Sequence, residues 1–298
     1  MAITVTNAYI STFETNVRQL AQQKRSLLRG AVTEVNKQSE KHNWDRLAAS
    51  AARLKTSART VSPAGGNGSG AVGSTDGLVW DRRQTLIQTY DTGEVIEPED
   101  IVQMLIDPKS AATENLVMNM QRAIDDIIIT AATGDATDGT GSAVTFPAGQ
   151  IVGDYSGEIN LDTVLEIQET FDNNDVDPDE PRYMVIGPKQ KRKLFQLIEV
   201  VSGDFQATKA LADGKMPNFM GFNWIVSNRL NAPSAGQLDC FATTKKGLGL
   251  HVAGDIRTKV AERADMSFAY QVYMMMNMAA VRVEDEHVVW FKAKDTVA

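Results

Sequence analysis

The stretch that most constrains this chain is DPKSAATENLVMNMQRAIDDIIITAATGDA, residues 107 to 136. Its apolar side chains recur at Leu116, Met120, Ala123, Ile127 and Ala131, with Val117, Ile124 and Ile128 widening the stripe, which is the spacing of one helix face. Asp107 is placed to cap it, and Pro108 stands where a first helical residue tolerates proline. Glu114 lies early, where acid suits the helix dipole, and Gly134 is placed to end the helix. The spacing predicts a rod over 108 to 133, roughly 37 Å long at ~1.5 Å per residue. Arg122, Asp125 and Asp126 fall on its other side, as a solvated or subunit-facing surface. Nothing along it suggests chemistry. A chain that builds such a rod is using it to brace something.

The flanking segments are of a different kind. Residues 14 to 38 read as a polar helix with Val17, Leu20, Ala21, Leu27, Leu28, Ala31 and Val35 on one side, and 43 to 57 as a shorter one. The run SPAGGNGSGAVGSTDG, 62 to 77, is too rich in glycine to hold a shape alone. After it, LVWDRRQTLIQTYDTGEVIEPED is rich in strand formers with neither face clearly apolar. Residues 59 to 97 thus read as a protruding two-stranded loop without an obvious internal partner, and such a hairpin is marginal in water. EDIVQMLI gives a short helix before the rod, and 143 to 158 give strand and turn.

The second half alternates. LDTVLEIQETFDNNDV is an amphipathic helix with Leu161, Val164, Leu165, Ile167 and Phe171 on its apolar face. YMVIGP follows as a buried strand, KQKRKLFQLIEV as a helix, and FNWIVS as a strand after Gly221. LDCFATT, LGLHVAG, IRTKVAER, SFAYQVYMMMNMAAVRV and HVVWFKA read as strands, MMMNM taken as strand from the aromatic and β-branched residues around it.

Composition narrows function more by what it lacks. A net charge of −8 argues against a general nucleic-acid binder, although Lys189, Lys191, Arg192 and Lys193 form a candidate basic patch at a helix start. No segment approaches the ~18 apolar residues of a membrane helix, and the N-terminus does not read as a signal peptide. Cys240 is the single cysteine, a small core side chain in a strand, which fits a reducing compartment. His42, His251 and His287 are scattered without metal-ligand spacing, and His287 reads as a surface residue. GGNGSG at 65 to 70 has neither the lysine of a phosphate loop nor a helix after it. DNNDVDPDE, 172 to 180, lacks the glycine and spacing of a calcium loop and reads as a helix end. Asn67-Gly68-Ser69 fits a glycosylation acceptor but has no secretion signal to go with it. No catalytic residue, metal or cofactor is assigned.

Arm, glycine-rich loop, rod, α/β segment and late strands, in that order, resemble the tailed-bacteriophage major capsid proteins with the fold first seen in Hong Kong phage 97. YMVIGPKQKRKLF, KMPNFMGFNWIVSNRL and AAVRVEDEHVVWF are the stretches that look like the family's. The resemblance implies an α+β fold of the Hong Kong 97 type. It gives an N-terminal helical arm over 1–58, an extended E-loop over 59–97 and a peripheral domain with the spine helix over 98–158. An axial α/β domain over 159–255 and closing peripheral strands over 256–298 complete it. It also implies a subunit that self-assembles into hexamers and pentamers of an icosahedral head around double-stranded DNA. Such a protein is assembled in the host bacterial cytoplasm, with a separate scaffolding protein, a portal and a cement protein as partners. Its contact residues are then Trp80, Arg82, Arg83, Glu94, Glu97 and Glu99. There is no lysine between Lys55 and Lys109, so the loop cannot supply one for a lysine–asparagine cross-link. Two other readings stand beside it: an encapsulin-like compartment shell, and an α/β enzyme with the glycine run as a lid.

Overall fold

The computed structural model describes residues 22–47, 80–97, 99, 108–196, 218, 220–254 and 256–295. Its strands are β1 (Thr33–Asn36), β2 (Lys41–Leu47), β3 (Trp80–Leu86), β4 (Gln88–Ile96), β5 (Ala136–Thr137), β6 (Ala143–Val144), β7 (Ile151–Val152), β8 (Arg182–Ile186), β9 (Phe222–Val226), β10 (Gln237–Thr244), β11 (Leu248–Val252), β12 (Arg257–Arg263), β13 (Ala269–Arg282) and β14 (Val288–Lys294). Its helices are α1 (Pro108–Thr133), α2 (Leu161–Asn173) and α3 (Pro188–Gln196). Contacts divide the chain into two units. One gathers the described residues within Met1–Arg25, Tyr90–Arg122 and Ile256–Met276; the other gathers those within Ser26–Thr89, Ala123–Asp255 and Asn277–Ala298.

The rod is where the spacing puts it, Pro108–Thr133. Its buried side chains differ in detail: Met118 is inside and Val117 is 36% exposed, while Ala132 rather than Ala131 is buried. Three consecutive isoleucines, Ile127, Ile128 and Ile129, are all buried, so the C-terminal turns are covered on more than one face. Asp125 corrects the expected solvated side. It is fully buried, and its carboxylate accepts the Leu27 and Leu28 amides and the Ser26 hydroxyl. Those donors lie just before the short 3-10 turn Arg29–Ala31, whose first amide, that of Arg29, donates in turn to the Ser26 hydroxyl at 3.1 Å.

The larger unit holds a five-stranded sheet in the order β7-β14-β10-β8-β9. The parallel β8–β9 pair is linked through α3, as the βα alternation of the sequence implies. Asn160 caps α2 by accepting the Thr163 amide at 2.7 Å, and Val164, Ile167 and Phe171 turn inward; Leu165, placed on that face by spacing, is 45% exposed. β1 runs parallel to β11, and β11 antiparallel to the second half of β13. The methionine run is strand, with Met274, Met276 and Met278 buried and Met275 and Asn277 between them half-buried. In the smaller unit, the first half of β13 pairs with β12, and Gly93 of β4 lies against Val272 and Tyr273.

Two expectations fail. Within 14 to 38 the described part forms the 3-10 turn and β1, and 41 to 47 form a strand, so neither stretch is helix there. The alternation of half-buried His42, Trp44 and Arg46 with exposed Lys41, Asn43, Asp45 and Leu47 is a strand pattern. It was masked because the inward residues are aromatic and basic, not aliphatic. Nor do β3 and β4 pair with each other as a protruding hairpin. β3 pairs with β2 and β4 with β13, so both strands have internal partners. Asp107, the short helix EDIVQMLI apart from exposed Glu99, and the glycine-rich run lie outside the described residues.

Candidate assembly surface

The antiparallel ribbon of β2 and β3 carries the most distinctive exposed surface of the larger unit. Its register sets Asp45 opposite Arg82, Arg46 opposite Asp81, and Leu47 opposite Trp80. The Arg82 guanidinium donates to Asp45 at 2.6 Å. Its aliphatic stem lies on Gly139, where an added Cβ would meet it at 3.0 Å. Arg46 stands 3.4 Å from Asp81 and 3.8 Å from Glu286. At the end of the ribbon Leu47 is 51% and Trp80 69% exposed. Asp45, Trp80, Asp81, Arg82 and Gly139 line a groove there. An indole beside paired charges is the composition of a protein contact rather than of a solvated strand.

The base of the ribbon is rigid. Arg83 is buried and donates to Asp285 at 2.8 Å. The other oxygen of Asp285 accepts Arg282 at 2.5 Å. Arg282, fully buried, also donates to the carbonyls of Gly134, Val144 and Thr145, and its guanidinium lies 4.5 Å from the Phe146 ring centroid. Two buried cations thus share one carboxylate, with main-chain oxygens meeting the remaining donors of Arg282. On the other strand, Trp44 packs with Ala136, Val144, Val281 and Val283. A Cβ on Gly249 would stand 2.6 Å from its indole. His42 meets Trp44 edge-on at 4.8 Å and His251 at 5.2 Å. Burial lowers the His42 pKa below its ordinary value, helped by the neighbouring His251 and Lys37.

Of the sequence-predicted contact residues, Trp80, Arg82, Glu94, Glu97 and Glu99 are exposed, whereas Arg83 is inside, committed to its own chain. The basic patch is largely answered internally. Lys189 donates to Asp295 at 2.7 Å, Lys193 lies 2.5 Å from Glu158, and Lys191 stands over the Phe195 ring. Arg192 is exposed. Acids from the chain itself therefore offset cations placed against the helix dipole. His287 corrects the expectation of a surface residue. Its ring is 14% exposed, bonded to the Thr244 hydroxyl at 2.7 Å and flanked by Glu180 and Glu284. Among the described residues no group of three or more His, Cys, Asp or Glu is placed to hold a metal, and no helix is long and apolar enough to cross a membrane.

The family model described as "Phage capsid protein" matches residues 5–294. The chain belongs to the phage capsid protein family. Solved structures agree on the fold. A capsid chain of cyanophage Pam1 superposes with a TM-score of 0.74 at 11% identity, covering 98% of both chains. The capsid of Ralstonia phage GP4 gives 0.70 at 9% identity over 100% of this chain and 98% of that one. A chain of Mycobacterium phage Che8 gives 0.69 at 13% identity over 96% and 97%. No curated protein sequence matches. This phage capsid protein has the Hong Kong 97-type fold, a mixture of helix and sheet, and is a structural component of the virion shell. At such identities side chains have diverged widely while the order of elements has persisted. The ribbon's anchors, Arg83, Arg282 and Asp285, were not legible in sequence. The one available signal was two arginines inside otherwise strand-like runs, with the aspartate in the turn between the last two strands.

Proposed function

We propose that this capsid protein is the major subunit of an icosahedral head. Copies form hexamers and pentamers that tile a shell around packaged double-stranded DNA, built in the host bacterial cytoplasm. In this reading residues 1–58 are the arm, 59–97 the E-loop, 98–158 and 256–298 the peripheral domain and 159–255 the axial domain. A separate scaffolding protein, a portal and a cement protein are its partners. The observation that supports it is the end of the β2–β3 ribbon. Leu47 and Trp80 stand exposed together on a base held by buried ion pairs, so the apolar tip is presented rigidly and has no cover within the described residues. A rigid exposed aromatic loses little side-chain entropy on contact, which is what a repeating subunit contact needs. Without a lysine from 56 to 108, the E-loop offers none for a lysine–asparagine cross-link, and in this reading cohesion rests on non-covalent burial or on the cement protein.

The test is negative-stain electron microscopy of the protein purified with and without its neighbouring phage proteins. Closed shells or capsomer rings are expected. A uniform monomer or dimer under every condition overturns the reading. Particles enclosing cellular enzymes instead of DNA would favour the encapsulin-like alternative.

A further inference from the structure

Two histidines far apart in sequence meet at the root of the ribbon in the larger unit. His42 is half-buried on β2, and His251 is wholly buried on β11. Their ring centroids are 5.2 Å apart, with the planes tilted by 43°. The path of the chain makes this meeting. β1 runs parallel to β11, the chain turns back over residues 37–40, and β2 returns to set His42 beside His251. The tautomer of His251 is fixed by what surrounds it. Its Nε2 lies 2.9 Å from the Lys37 carbonyl and 3.4 Å from the Ser39 hydroxyl. A carbonyl only accepts, so Nε2 carries the proton and Nδ1 of the neutral ring presents a bare lone pair. That Nδ1 is buried and has no hydrogen-bond partner among the described residues. The indole N–H of Trp44, which packs on His42, is buried and unpartnered too, so it does not reach Nδ1. A buried acceptor left in this way costs free energy.

We propose that His251 Nδ1 and the His42 ring bind a divalent transition-metal cation of the kind that prefers imidazole, such as zinc, copper or nickel. An imidazole whose other nitrogen donates to a backbone carbonyl is oriented and made a better metal ligand, and His251 is held in that way. Two imidazoles on one tetrahedral ion at about 2.0 Å place their ring centroids roughly 5 Å apart. That is the spacing of this pair. The half-buried side of His42 leaves a way in for the ion and for waters that complete its coordination. Of the charges felt at His42, Lys37 opposes a cation and Asp45 favours one, so the bonds to nitrogen decide the binding. With two protein ligands the site is weaker than a structural zinc centre of four. A bound ion ties β2 to β11 and stiffens the ribbon at its root. This inference stands apart from the shell reading and survives or fails without it.

The test uses the full-length protein, stripped with a chelator and titrated with zinc chloride by calorimetry. One ion per subunit is expected. Copper in place of zinc should give an electron paramagnetic resonance spectrum with nitrogen hyperfine splitting from two imidazoles. His42→Gln and His251→Gln should each weaken binding at least about tenfold, while His287→Gln should bind as the parent does. His251 is buried, so circular dichroism checks that its variant folds; His42→Gln changes a half-buried position and carries the test if that variant does not. Zinc should slow hydrogen exchange of the β2 amides in the parent and leave it unchanged in His42→Gln. A parent that takes up no zinc overturns the inference. Binding of parental strength in His42→Gln and His251→Gln overturns it too, since the ion is then an adventitious ion only. So does a crystal structure of the zinc-soaked protein in which a water bridges Trp44 Nε1 and His251 Nδ1.

Discussion

Arg282 is wholly removed from solvent, and the carboxylate of Asp285, three residues on, meets its guanidinium at 2.5 Å. The same carboxylate holds Arg83 from the far strand of the ribbon. Asp285→Ala would leave two buried cations without their anion. Removing one partner of a buried ion pair costs about 3–5 kcal/mol. The urea midpoint of the unassembled subunit should fall accordingly, and a change under about 0.5 kcal/mol would show that the carbonyls around Arg282 suffice alone.

Gly249 sits where a side chain has no room. Its added Cβ would approach the Trp44 indole at 2.6 Å and a Val283 methyl at 2.9 Å. Gly249→Ala should therefore destabilise by about 1–3 kcal/mol through overpacking. Thermal unfolding followed by circular dichroism checks this. Gly141, by contrast, has open space but a φ of +91°, so alanine there is strained by backbone and not by neighbours.

Asp125 ties the segment before β1 to the rod. Asp125→Ala removes the acceptor of the Leu27 and Leu28 amides and should cost about 1–3 kcal/mol. The sharper readout is hydrogen exchange. The amides of Leu27 and Leu28 should exchange faster in the variant while those of α3 stay unchanged. Asp125→Asn, which keeps one acceptor oxygen, should fall between.

How far the sequence reaches is clear from these particular places. The rod's ends, the β8–α3–β9 passage and the methionine strand follow from periodicity and from proline and glycine at the boundaries, because each is a local pattern. Asp125 read as solvated because an isolated acid on a helix belongs in water; only the approach of residues from about one hundred positions away makes its burial tolerable. The β2–β3 ribbon was hidden for a related reason. Its inward side is His42, Trp44, Arg46, Arg83 and Thr85, a polar stripe whose partners are on distant strands. The candidate surface was half legible. Trp80 and Arg82 stand out as exposed, but which of the paired arginines turns inward was decided by Asp285 and by the strand register.

Acid should weaken the anchor of that ribbon. His42 has its folded pKa lowered by burial and by its neighbours His251 and Lys37, with Asp45 acting the other way. The unfolded chain therefore binds a proton more readily. The contribution of neutral His42 is complete above its ordinary value of about 6.5 and is lost as pH falls through that value towards the lower folded one. Urea unfolding at pH 8, 6.5 and 5 should show the loss, and His42→Gln should reduce the slope between 6.5 and 5. An unchanged slope would assign the acid sensitivity to other groups.

Cys240 lies on β10, between β8 and β14, wholly buried, and burial pushes its thiol pKa up to about 12. It is also the chain's single cysteine. A thiol so protonated and so enclosed does not react with disulfide or maleimide reagents until that sheet parts. Labelling of this one sulfur is thus a built-in clock for the opening of the larger unit. It can be run on free subunits and on finished particles alike, and the ratio of the two rates measures how much the surrounding copies slow the opening of each subunit.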